Sequence, residues 1–298
     1  MMIPFIPVLK RILQTECLLE GVQCACSALS NFLISQEETI VDVILNDDSG
    51  TSIIKELVHQ LQDSRVKVVK TVVRLLIEIT DCCNCDQVLL LQPALQFLFR
   101  IIQKRYEDSG YKEAAILAIE CFGSITKLGA GAVSMLVRTT PELFDTFVGL
   151  VQEGLQEMKL SAFREHAFVF SATTTLMSAV SSAAEGGDIL YFIELRCYPL
   201  VFAVLEAFND NDEIVQETVS ALTNVIRWFP NFDHQQKVKI RINSFEAPAG
   251  WAVLQGLANK GREPSSTHNC SALQMKNSVN AQKLLQIAIQ LRLTEEKG

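Results

Sequence analysis

The densest cluster of reactive side chains is a run of three thiols at Cys82, Cys83 and Cys85, flanked by Asp81 and Asp86. Thiolates are soft ligands, so these residues could contribute to a zinc site or take part in redox chemistry. A structural zinc site needs a second pair of Cys or His ligands at a suitable spacing, and the four histidines are scattered along the chain. The pattern therefore favours a cysteine-rich loop between helices, with a metal or redox protein as an alternative.

The sequence contains none of the motifs that organise common active sites. It has no Gly-rich phosphate-binding loop, no nucleophile elbow and no His-Glu-x-x-His pair. The segment Gly129-Ala130-Gly131 follows no predicted strand and is typical of a helix end. We expect a protein without catalytic activity, cofactor or bound metal.

A short phrase recurs at long range. Ala28-Leu29-Ser30-Asn31 returns as Ala221-Leu222-Thr223-Asn224, each time inside an amphipathic helical pattern. Weaker copies end at Glu78, Cys121 and Ser178, so successive copies are 47, 43, 57 and 46 residues apart. A pattern that returns at such intervals indicates stacked helical units, because each unit is too small to bury its apolar face alone.

Helical periodicity dominates nearly the whole chain, and glycine and proline are scarce, which disfavours a turn-rich β fold. The apolar spacing predicts helices at 4–19, 21–34, 37–45, 51–62, 64–80, 86–105, 111–128, 131–138, 141–158, 161–182, 187–208, 211–229, 247–260 and 271–293. A turn is predicted at residues 209–212, where Asn and Asp alternate before an apolar run.

Two segments, Val22–Leu33 and Ile214–Val225, resemble the third helix of armadillo repeats, in which small residues pack in the core and an asparagine ends the motif. The resemblance implies an all-α fold, a right-handed α-solenoid superhelix of about five to six armadillo/HEAT-like repeats. We predict that residues 1–260 form this solenoid, that 261–270 form a flexible loop, and that 271–298 form a C-terminal capping helix and tail.

In armadillo proteins the third helices line a concave groove, and their asparagines hold the backbone of an extended peptide. The resemblance therefore directs attention to Asn31 and Asn224, and residues four apart on a helix share a face with them or with the weaker copies. The candidate protein-binding residues are Ser27, Asn31, Arg74, Glu78, Ser220, Asn224 and Trp228. Two alternatives stay open: the asparagines could bond a neighbouring repeat, and Arg74 with Glu78 could be a surface ion pair.

Similarity to the importin-α nuclear-import adaptors is distant. That family carries a tryptophan four residues before each asparagine, where this chain has Ser27 and Ser220. The indoles form the slots that hold lysine stems, so their absence argues against a receptor for nuclear-localisation signals of the usual kind.

Charge and cysteine usage limit the partners and the compartment. A net charge of −8 disfavours nucleic acid and anionic membranes and favours a basic partner. No apolar run reaches the roughly 18 to 20 residues that span a bilayer. The nine cysteines fall mostly in apolar helical runs, which is typical of a reducing compartment, so we expect a cytoplasmic protein, with the nucleus as the other location.

These observations predict a non-enzymatic scaffold that binds an extended peptide or a helix on the concave face of its third helices. One alternative is an adaptor in nuclear transport or chaperone regulation that embraces a folded partner. Others are the cysteine-cluster metal or redox protein and a structural segment of a larger assembly.

Overall fold

The computed structural model describes residues 5–15, 19–34, 44–45, 53–106, 109–158, 167–186, 189–194, 197–245, 248–260 and 271–291. Within these ranges every regular element is helical, which confirms the all-α prediction for them. The α-helices are α1 Ile6–Gln14, α2 Leu19–Ile34, α3 Ile53–Gln60, α4 Val66–Cys82, α5 Gln92–Gln103, α6 Ser109–Lys127, α7 Ala130–Thr139, α8 Glu142–Met158, α9 Ala167–Gly186, α10 Ile189–Glu194, α11 Cys197–Ala207, α12 Asp212–Trp228, α13 His234–Phe245, α14 Pro248–Lys260 and α15 Ala272–Gln290. Short 3-10 segments lie at Gln87–Leu91, Lys104–Tyr106 and Phe229–Asn231.

The chain divides into two compact units, residues 1–143 and 144–298. In the first unit α2, α4 and α6 pack side by side, and α1, α3 and α5 form a second layer against them. In the second unit α9, α12 and α15 pack side by side, with α11 and α14 in the second layer. Each unit is therefore a stack of helices in two layers, as expected for helical repeats.

Helix α4 shows how the sequence produces this stacking. Val68, Val72, Leu75 and Ile79 recur at helical spacing, and all four are buried against the neighbouring helices. Arg74 lies on the remaining side of the helix and is exposed. Because α4 contacts a helix on each flank, its apolar surface is wide and its polar face is narrow.

Polar side chains at helix starts account for several boundaries. The Asn211 Oδ1 accepts hydrogen bonds from the backbone N–H groups of Glu213 (3.2 Å) and Ile214 (3.1 Å), so it caps α12. The turn predicted at residues 209–212 is thereby confirmed. At the start of α15 the Ser271 hydroxyl accepts from the Gln274 N–H, and the Gln274 side chain accepts from the Ser271 N–H, both at 3.1 Å. This reciprocal capping box fixes the first turn of the helix.

Several hydrogen bonds between adjacent helices join residues that are about one repeat apart. The separations in sequence are 41 to 47 residues, in agreement with the steps of 43, 46 and 47 residues between copies of the recurring phrase. The pairs include Gln60 with Leu13, Thr80 with Cys121, Tyr198 with Ser244, and Asn224 with Ser181. The number of repeats and the handedness of the superhelix remain predictions.

One predicted helix is divided in the structure, and one helix of the structure is absent from the predicted set. The segment 187–208 contains two helices, α10 and α11, with residues 195–196 outside the described ranges. Helix α13 is absent from the predicted set, because its sequence is mostly polar; of its described side chains, only Ile240 and Ser244 are buried. Its start does carry a signal: Asp233 and Gln236 exchange side-chain and backbone hydrogen bonds at 2.8 and 3.0 Å.

Other predictions fall largely outside the described residues. The flexible loop at 261–270 lies wholly outside them, as do residues 292–298 of the predicted tail and most of the predicted helix at 37–45. No helix in the described part of the chain is both long enough and apolar enough to cross a bilayer.

Candidate protein-binding face

The candidate residues of α2 lie on its solvent side. Ser27 and Asn31 are both exposed and are one helical turn apart, whereas Ala25 and Leu29 are fully buried against the stack. The structure thus leaves the Asn31 amide available at the surface, where it can offer a donor and an acceptor to a peptide unit.

Arg74 on α4 faces the acidic residues of α6. Its charge helps to lower the pKa of Glu113, although the larger cause is a hydrogen bond from Lys70, which forms an ion pair with Glu113. Burial raises the pKa of Glu120, and Arg74 partly opposes that rise. A basic row on α4 therefore lies beside an acidic row on α6.

Glu78, one turn after Arg74, is half-buried. Among the described residues no ion pair joins it to Arg74, so the surface pair considered above is absent there. Its Oε2 is buried and has no hydrogen-bond partner in the described part of the chain. The charge of Glu78 also helps to raise the pKa of Cys26 on α2 and of Cys82, after the larger effect of burial, so its carboxylate lies near both thiols.

In the second unit the candidates lie on α12. Ser220 is exposed, while Asn224 and Trp228 are half-buried. The Asn224 Nδ2 donates a hydrogen bond of 2.7 Å to the hydroxyl of Ser181 on the adjacent helix α9. This asparagine thus bonds a neighbouring repeat, which is the alternative left open for it above.

Two of the three weaker copies of the phrase do not offer their last residue to solvent. Cys121 on α6 and Ser178 on α9 are both buried, and α9 has no exposed residue among those whose side chains are described. Exposed polar side chains of the third helices therefore lie on α2, α4, α6 and α12.

The cysteine cluster lies at the end of α4 and just beyond it. Cys83 is buried, and burial is the main cause that raises the pKa of its thiol to about 12, with Cys82 adding to the rise. Burial also raises the pKa of Cys82. The Cys85 thiol donates a hydrogen bond to the carbonyl of Leu128. Thiols with raised pKa values are poor nucleophiles and poor metal ligands, so the environment disfavours the metal or redox alternative.

Among the described residues, no group of three or more His, Cys, Asp or Glu side chains is placed to hold a metal ion. Three residues that contact the candidate residues or their helix neighbours are not among the sequence-based candidates: Glu113, Glu120 and Ser181. The repeat period was a usable signal, because Lys70 and Glu113, like Asn224 and Ser181, are 43 residues apart.

Comparison with solved structures identifies the fold. The chain matches a computationally designed armadillo repeat protein for modular peptide recognition with a TM-score of 0.64 at 18% sequence identity, over 95% of this chain and 99% of that one. Two engineered proteins match with TM-scores of 0.64 and 0.60 at 17% and 15% identity, each over 93% of this chain and over 98% and 96% of theirs. The chain therefore has a divergent armadillo-like repeat fold.

Comparison of the sequence gives no further relative. No protein-family profile matches the chain, and no curated protein matches it at a significant level.

Proposed function

We propose that this protein is a non-enzymatic scaffold that binds an extended peptide on the solvent face of its third helices. The observation that carries the proposal is the side-by-side packing of α2, α4 and α6, which leaves Ser27, Asn31 and Arg74 exposed on adjacent helices. Packed helices are about 8–10 Å apart, and an extended chain advances about 3.3 Å per residue. Successive helices would therefore meet a bound peptide every two to three residues.

The fold supports this proposal by analogy. The designed armadillo repeat protein that resembles the chain was made for modular peptide recognition. At 18% sequence identity, the two proteins share only the fold. The buried Glu78 Oε2, which has no donor among the described residues, adds a site that a basic group of the peptide could satisfy. A basic partner also suits the net charge of −8.

The proposed location is the cytoplasm, with the nucleus as the other compartment. Cys26, Cys121 and Cys197 are free thiols buried in helices, an arrangement that suits a reducing environment. Imaging of the tagged chain in cells tests this location, and retention in a secretory compartment would contradict it.

The test of peptide binding begins with selection from a displayed library of random linear peptides. The selected peptide is then titrated by fluorescence anisotropy against the wild type and a Ser27→Arg/Asn31→Ala variant. The variant places a bulky charge on the α2 face and removes the amide, so we expect binding at least about tenfold weaker.

The control is Arg138→Ala, which removes an exposed side chain from α7 in the same unit. We expect this variant to bind like the wild type. Equal affinity of the Ser27→Arg/Asn31→Ala variant and the wild type, with unchanged thermal unfolding, would refute the α2 face as the binding surface.

A further inference from the structure

A cavity of about 400 Å³ lies in the first unit, between the turn that joins α3 to α4 and helix α5. Leu61 and Ile101 are buried residues of its lining, and Gln62 and Ser64 are exposed residues of the turn. The volume falls within the range of about 300–1,000 Å³ that is usual for small-ligand sites, so it can hold one or two side chains of a partner.

Two cations line this cavity, and each rests on an aromatic ring. The Arg100 Cζ is 5.3 Å from the ring centroid of Phe97, and the Lys104 Nζ is 5.3 Å from that of Tyr111. Arg100 lies on α5 and Lys104 directly follows that helix, and at four residues apart the two cations lie on the same side. The rings restrict the two side chains, which lowers the entropy that is lost when both contact one anion.

The negative charge of Asp63, the carboxylate that lines the cavity, is balanced by Arg65. Asp63 accepts hydrogen bonds from the Arg65 guanidinium, Nε to Oδ1 at 2.9 Å and Nη2 to Oδ2 at 2.6 Å, and from the Arg65 backbone N–H at 2.7 Å. The side-chain bond from Arg65 is the main reason that the pKa of Asp63 is lowered.

By contrast, within the described ranges no ion pair joins Arg100 or Lys104 to a carboxylate. Among the described residues of the lining, the two cations are thus left without a carboxylate partner, in a chain of net charge −8.

The geometry points to a second binding site in this cavity, which takes an anionic side chain of a peptide between Arg100 and Lys104. A neighbouring aliphatic side chain of that peptide packs on Leu61 and Ile101. The anion is a carboxylate or a phosphorylated hydroxyl, because both offer oxygens to the Arg100 fork and the Lys104 ammonium. This site lies outside the third-helix face and uses none of its residues, so it goes beyond the function proposed above.

A nucleic acid is the less suitable anion for this cavity. The rings of Phe97 and Tyr111 each have a cation on one face, which reduces the surface available for base stacking. The net charge of −8 also repels a polyanion that extends beyond the cavity.

The direct test titrates fluorescein-labelled Gly/Ser peptides that contain one Leu-Glu pair, by anisotropy at low ionic strength. Matched peptides carry Gln or phosphoserine in place of Glu, and a single-stranded oligouridylate is the nucleic-acid arm. We expect the Glu or the phosphoserine peptide to bind at least about tenfold more tightly than the Gln peptide, and added salt to weaken that binding. Which of the two anionic peptides binds more tightly identifies the source of the anion.

The variants are Arg100→Glu and the milder Arg100→Gln/Lys104→Gln, and the matched control is Arg138→Glu on α7. We expect both cavity variants to lose the preference for the anionic peptide and the control to keep it. Equal binding of the Glu, phosphoserine and Gln peptides would overturn the proposal, as would wild-type binding by the cavity variants. Tighter binding of oligouridylate than of either anionic peptide would overturn it too.

The same peptides separate this site from the third-helix face. The Ser27→Arg/Asn31→Ala variant should bind the acidic peptide like the wild type. Loss of acidic-peptide binding in that variant would contradict a separate cavity site, whereas equal affinity of that variant and the wild type for the library peptide would refute only the third-helix face.

Discussion

At the scale of single residues, one side chain type serves two different purposes in this chain. Asn31 is exposed at the surface of α2, whereas the Asn224 amide donates a hydrogen bond to Ser181 of the neighbouring helix. The two asparagines end nearly identical phrases, so the difference arises from what the adjacent repeat presents to each. Because the Ser181 hydroxyl lies one repeat earlier, the Asn224 amide bonds within the protein and is not left for a ligand.

The Asn224–Ser181 hydrogen bond should contribute measurably to stability. We expect Asn224→Ala and Ser181→Ala each to lower the free energy of unfolding by about 1 kcal/mol, because each leaves a half-buried polar group without its partner. The double variant should lose less than the sum of the two, with a coupling of about 0.5–1.5 kcal/mol in urea unfolding. Ser220→Ala, an exposed change on the same helix, should stay within about 0.5 kcal/mol of the wild type. A coupling of zero would show that the bond does not stabilise the stack.

At the scale of helices, close packing of α14 on α11 requires a small residue at one position. A Cβ at Gly250 would lie 2.5 Å from Cδ1 and 2.7 Å from Cβ of Phe202. Gly256, on the same helix, is exposed, and a Cβ there would have no heavy atom within 4 Å. Alanine at Gly256 would therefore test only the helix preference of alanine over glycine, whereas alanine at Gly250 would also test the packing on Phe202.

We expect Gly250→Ala to lower the free energy of unfolding by roughly 1–3 kcal/mol, since Phe202 must move to admit the methyl group. Gly256→Ala should raise it by roughly 0.5–1 kcal/mol, since alanine favours the helix and meets nothing. Thermal or urea unfolding of both variants measures the contrast. Stabilisation by both substitutions would mean that α14 does not pack on Phe202 as described.

At the scale of the whole molecule, both units contain buried thiols, and the second also contains a buried phenol. Burial is the main cause that raises the pKa of Cys26, Cys83 and Cys121 to about 12 each. It also raises the pKa of Cys197 and brings that of Tyr198 to about 12. The folded chain therefore keeps protons that the unfolded chain releases above its ordinary thiol pKa of about 8.5.

Because the folded pKa values lie above the unfolded ones, this contribution to stability is fully present below about pH 8.5 and is lost as the pH rises toward about 12. Each thiol should lower the free energy of unfolding by up to about 1.4 kcal/mol per pH unit in that range. Urea unfolding at about pH 7 and about pH 10 should show a loss of at least about 2 kcal/mol. Cys121→Ala should reduce the slope, and an unchanged slope would show that Cys121 ionises normally in the folded chain.

The sequence by itself determined the helical class, the repeat period and most helix boundaries, because apolar spacing and caps are local properties of the chain. Asn211 caps α12 through a residue two positions away, and three of the four steps between phrases, 43 to 47 residues, follow from the chain alone. Even the missed helix α13 carried a local signal in Asp233 and Gln236.

Only the tertiary structure decided which polar residues face solvent and which face a neighbour. Asn31 and Asn224 have nearly the same local sequence context, and Arg100 and Lys104, both exposed, line one cavity only because the turn at Asp63 packs beside them. The physical reason is that exposure, charge balance and hydrogen-bond partners depend on residues about a repeat away or on another helix. Those neighbours come together only when the helices stack.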